Sequence, residues 1–106
     1  MHTDPPPTDW TRILRLYDQL LAVAPTPVVA LNRAVAVAEV DGPEAALALV
    51  DGLDLDRFYL FHAVRADLLR RLGRTSEAAR AYEAALARAG NEAERDFLHR
   101  RLGDRT

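Results

Sequence analysis

Apolar residues recur at three- and four-residue steps along most of the chain, the period of helices that each lay one face on a core. Trp10, Ile13, Leu14, Tyr17, Leu20, Leu21 and Ala24 set the first such run, with Asp9 or Thr8 placed to cap it and Pro25 to close it. Thr26-Pro27, a capping hydroxyl followed by proline at the first helical position, opens a second helix running to about Val40. Asp41-Gly42-Pro43 stops that helix and starts a third, Pro43 to about Asp51, predicted to bury Ala46, Leu47, Leu49 and Val50. A fourth is predicted from about Asp56 to Leu72, presenting Phe58, Phe61, Val64, Arg65, Leu68, Leu69 and Leu72, with Gly73 where a left-handed cap is wanted. Thr75 is expected to cap a fifth, which carries Ala78, Ala79, Tyr82, Ala85, Leu86 and Ala89 and ends before Gly90. Asn91 with Glu94 three residues on forms a capping-box signature for a sixth through Leu102, burying Phe97 and Leu98. No stretch reads as a strand, so the fold class is all-α. Residues 1–8 have no period and include Pro5-Pro6-Pro7; they read as a disordered tail or linker remnant, and 9–106 as one helical domain.

The helices repeat. Glu44-Ala45-Ala46 returns as Glu77-Ala78-Ala79 after 33 residues and Arg33-Ala34 as Arg65-Ala66 after 32, with an extra residue in the Gly73 turn as the expected cause of the difference. Helix pairs recurring at about 34 residues are the signature of a tetratricopeptide-type array. The prediction is a right-handed tetratricopeptide-like (TPR-like) helical-repeat solenoid of about six helices. Ala34 and Ala66 would allow close crossings, Ala45 and Ala78 would face them, and Leu49 and Tyr82 would fill the next gap. The first and sixth helices would close the ends, as half-repeats do in such arrays.

Composition narrows the function classes. A chain of 106 residues suits one modest core, and 49% apolar with 28% charged residues is that of a soluble globular protein. A net charge of −2 argues against a nucleic-acid binder that works by neutralising phosphates. The absence of cysteine removes disulfides, thiolate zinc sites and a cysteine nucleophile, and fits a reducing cytoplasm. Asn32, Arg33 and Glu39 interrupt the longest apolar run, and the N-terminus lacks a basic-then-apolar layout, so neither a membrane span nor export is expected. All fourteen basic residues are Arg and Ala is abundant, a bias that GC-rich codons produce.

The candidate chemistry is sparse. Asn32, Arg33 and Glu39 form a polar stripe on an otherwise apolar inner helix, and Arg65 occupies the equivalent turn of the fourth helix. Two readings follow: internal clamps on a carboxylate or carbonyl, since an unpaired buried charge is very costly, or a groove in which the planar guanidinium grips a partner's acidic group. The clamp is the favoured reading. Asp67, Arg70, Arg71 and Arg74 form a charged ridge, solvated surface in the simplest account and partner-binding in the alternative. Arg95, Arg100 and Arg101 would complement the last helix dipole. His2, His62 and His99 have no metal-ligand spacing, and Trp10 and Tyr17 read as core anchors. With no phosphate loop, serine elbow or paired catalytic carboxylates, no cofactor is expected and the chain does not read as an enzyme.

The wording of the sequence is more specific than its physics. LNRAVAVAE, RADLLRRLGR and NEAERDFL, within a match over about residues 9 to 102, resemble the C-terminal extension of a group of bacterial extracytoplasmic-function (ECF) RNA polymerase sigma factors. The resemblance implies a regulatory domain in DNA-templated transcription initiation, acting through protein contacts. Its partners would be the sigma factor's own core domains, RNA polymerase or a signalling protein, with no direct nucleic-acid binding and no membrane contact by this chain. The promoter-reading domains of that group have no counterpart here. The rival reading is a free-standing TPR-like adaptor unrelated to a sigma factor.

Overall fold

Residues 8–89 and Arg100 are described by the structure, a computed structural model. Five helices stand among them: α1 (Trp10–Val23), α2 (Pro27–Val40), α3 (Pro43–Asp51), α4 (Tyr59–Arg71) and α5 (Thr75–Arg88). No strand occurs among the described residues. Arg100 is helical, but the predicted sixth helix, with Asn91, Glu94, Phe97 and Leu98, otherwise lies outside them, as do residues 1–7.

Local chemistry sets most boundaries where the sequence expects them. The Asp9 carboxylate accepts from the Arg12 amide at 3.1 Å and the Thr26 hydroxyl from the Val29 amide at 3.2 Å, each satisfying an orphan donor of its first turn. α4 ends in a Schellman turn: the Arg74 amide donates to the Leu69 carbonyl and the Gly73 amide to that of Arg70. Gly73 sits at φ +76°, a conformation that a Cβ would strain. Gly42, at φ +99°, likewise turns the chain sharply into α3.

Two boundaries differ. α4 starts at Tyr59, three residues later than predicted, because Phe58 is extended and the Asp56 carbonyl is taken by side chains, accepting from His62 Nε2 at 2.7 Å and from Arg88 Nε. Phe58 therefore stands exposed at the connection instead of on the buried face. Thr75 is the first helical residue of α5 and not its cap; Arg74 holds the cap position, and its guanidinium forks onto Glu77, Nε to Oε1 at 2.9 Å and Nη2 to Oε2 at 2.8 Å.

Helices pack mainly on their chain neighbours, α1 on α2, α2 on α3, α3 on α4 and α4 on α5, and α2 also touches α4. Leu31, Ala34, Ala46, Val50, Ala66, Leu69, Ala78, Tyr82 and Ala85 form the fully buried centre. Burying a side chain such as Leu31 or Leu69 contributes about 1.5–3 kcal/mol.

The repeat in burial is 32 residues for both helix pairs. Ala34 and Val37 correspond to Ala66 and Leu69, and Ala46 and Val50 correspond to Ala78 and Tyr82, all buried. The Glu-Ala-Ala match at 33 is thus out of register by one residue. Ala45 is exposed where Ala46 is buried, and Leu49 is exposed where Val50 fills the gap. One residue is 100° of helix, enough to turn a side chain from core to solvent.

α1 departs most from expectation. It buries no residue fully, Trp10 and Tyr17 are only half-buried, and Leu16, Leu20 and Val23 are exposed. Among the described residues, no helix is long and apolar enough to cross a membrane.

Candidate protein-interaction groove

Where α2 and α4 run side by side they leave a groove of about 330 Å³, within the range of ligand-sized pockets. Val35 and Ala38 of α2 form one wall, Leu60, Ala63, Val64 and Leu68 of α4 the other, and Tyr82 of α5 contributes to the lining. The small side chains Ala38 and Ala63 are what leave room for it. Asp67, Arg70 and Arg71 also line it.

These charged residues are mutually paired. Asp67 accepts from Arg70 Nη2 at 2.7 Å and from Arg71 Nε at 3.1 Å, while Arg71 Nη1 crosses to Glu39 Oε1 on α2 at 3.0 Å. The hydrogen bond and charge of Asp67 hold the Arg70 guanidinium above its ordinary range, with a smaller contribution from the Tyr82 hydroxyl. Two cations and two anions leave the cluster neutral, and the arginines keep further N–H donors beyond the bonds to their carboxylates. Such a groove offers apolar contact along its walls and hydrogen bonding at one end, without strong preference for a charged ligand.

The residues singled out in the sequence fall into two groups. Asp67 and Arg70 line this groove together with Arg71, which the sequence leaves on solvated surface, and Glu39 joins them from α2 through its ion pair with Arg71. Its signals were available: Arg71 follows Asp67 by four residues, the spacing at which helical side chains meet. Arg33 and Arg65 are elsewhere. Arg33 Nε donates to Asp18 Oδ1 of α1 at 2.6 Å, and Arg65 Nε to Asp51 Oδ1 of α3 at 2.7 Å, so each grips the helix preceding its own. Their side chains are 28% and 30% exposed and the carboxylates 52% and 48%, which makes them partly solvated latches and not buried clamps. Asn32 is half-buried beside Arg33 and does not line the groove. Among the described residues, no group of three or more His, Asp or Glu could hold a metal ion.

No family model matches the chain, and no solved structure matches it. A curated relative, an uncharacterized protein of Rhizobium meliloti (strain 1021), is 45% identical over 100 residues, covering 92% of this chain but 24% of the relative. The chain therefore spans about a quarter of the length of the relative it matches, and about three-quarters of that protein lies outside the match.

Proposed function

We propose that the chain is the regulatory C-terminal domain of an ECF-type RNA polymerase sigma factor, a TPR-like solenoid acting in transcription initiation through protein contacts in the cytoplasm. The observation that carries the interaction reading is the α2–α4 groove, apolar along its walls and bounded by a neutral, hydrogen-bonding ion-pair cluster. The 32-residue recurrence of burial and the recurrence of the Arg–Asp latch support the solenoid, since both are properties of stacked, equivalent units. The sigma-factor assignment is supported by the resemblance in LNRAVAVAE and RADLLRRLGR, and the greater length of the relative is in keeping with a domain of a larger polypeptide. In this reading the partners are the sigma core domains of the same polypeptide, RNA polymerase or a signalling protein, and the domain performs no catalysis.

The test uses the full-length Rhizobium meliloti relative with core RNA polymerase in run-off transcription, intact and lacking the matched stretch. Promoter-specific transcripts whose yield changes on deletion are expected. Failure of the intact protein to direct any promoter-specific transcript would overturn the assignment.

A further inference from the structure

Leu16, Leu20 and Val23 are 54%, 45% and 84% exposed and fall at i, i+4 and i+7, one line along the outer face of α1. The opposite side of the same helix, through Leu14, lies against the core. α1 is thus apolar over a broad arc, of which only part packs, chiefly on α2, whereas α3, with a neighbour on either side, buries Ala46, Leu47 and Val50. A helix that is apolar beyond its packed face is suited to a second neighbour.

We propose that this stripe is the seat of an amphipathic helix from the same polypeptide in a longer protein such as the relative this chain matches, the helix carrying a carboxylate beside its apolar face. Area decides between a tethered occupant and a second copy. The three side chains expose apolar surface on the order of 300 Å², against about 800 Å² per partner in a stable association of free proteins. A tethered helix needs much less contact, because its effective concentration is about millimolar. About three-quarters of the Rhizobium meliloti relative lies outside the match and can supply one. The carboxylate follows from charge: Arg12 continues the line of Leu16 and Leu20 one turn earlier, and its guanidinium has no ion-pair partner among the described residues. The inference rests on reading the chain as an interaction domain of a longer protein and not on the sigma-factor assignment, which run-off transcription tests separately.

The experiment compares thiol labelling of Leu20→Cys in the free 106-residue chain and in the full-length relative whose matched stretch is replaced by this chain. Labelling at least tenfold slower in the full-length protein is expected, with Val40→Cys, exposed on α2, labelled at the same rate in both to show that the domain remains folded. Adding Arg12→Glu should return the full-length rate toward the free rate without changing the free chain. Equal rates in the two proteins would overturn the proposal. So would slow, concentration-dependent labelling of the free chain, which would give the stripe to a second copy.

Discussion

Arg33 reaches from α2 to Asp18 on α1 with its Nε 2.6 Å from the carboxylate, and Arg65 makes the same reach from α4 to Asp51 at the end of α3. The latch recurs because each arginine is preceded by a carboxylate on the neighbouring helix, 15 residues earlier in one case and 14 in the other. With roughly half of each carboxylate in water, the pair fixes which turn meets which more than it adds stability. A buried clamp would be worth about 3–5 kcal/mol on truncation, a partly solvated one about 0.2–1 kcal/mol. Arg33→Ala and Arg65→Ala should therefore each lower the melting temperature by a few degrees at most, and a double-mutant cycle of Arg33→Ala with Asp18→Ala should give a coupling below about 1 kcal/mol. Unfolding of either single variant at room temperature would restore the buried-clamp reading.

Arg71 should behave like the latches and not like an idle surface residue. It joins Glu39 of α2 to Asp67 of α4, so Arg71→Ala breaks two ion pairs at once. A loss equal to or larger than that of Arg33→Ala, up to about 1 kcal/mol, is expected in thermal melts. Melting indistinguishable from wild type would show that these two ion pairs add no stability.

The 32-residue register makes a prediction about neighbouring alanines. Ala46→Leu forces extra methylenes into a site with no exposed surface and should cost about 1–3 kcal/mol. Ala45→Leu, on the exposed side, should change stability by about 0.5 kcal/mol or less. Urea titrations of the two variants would read the difference, and a reversed order would mean that the 33-residue match is the structural one.

Acid should weaken the start of α5. The Arg74 fork holds the Glu77 carboxyl below its ordinary 4.5, so the folded chain binds that proton less readily than the unfolded chain does. The stability from this pair is present above pH 4.5 and is lost as pH falls through the depressed value. Glu77→Gln should show a smaller drop in melting temperature between pH 7 and pH 3 than wild type. An identical drop in both proteins would contradict the pairing.

The isolated chain should not bind duplex DNA usefully. Its net charge is −2, and Arg33, Arg65, Arg70, Arg71 and Arg74 are already occupied by carboxylates, so little counterion release is available. Fluorescence anisotropy with promoter-length duplexes should give no submicromolar, salt-sensitive binding.

What the sequence by itself determined was local. Caps, prolines and glycines act over three or four residues, so Thr26-Pro27, Gly42-Pro43 and Gly73 mark helix ends without reference to the rest of the fold. The apolar period placed Leu47, Val50, Leu69 and Tyr82 inside for the same reason. Only the tertiary structure decided the rest. The start of α4 depended on Asp56 meeting His62 and Arg88, contacts made when distant turns come together. The register of α3 depended on which of two adjacent alanines faced its neighbours. Groove and latches alike depended on how helices sit side by side, for a stripe of polar residues records that it needs partners and not where they are. Arg33 reads as a clamp in the sequence and Arg71 as solvated surface, yet both tie helices together, one α2 to α1 and the other α4 to α2 across the groove, because helix packing sets which carboxylate each can reach.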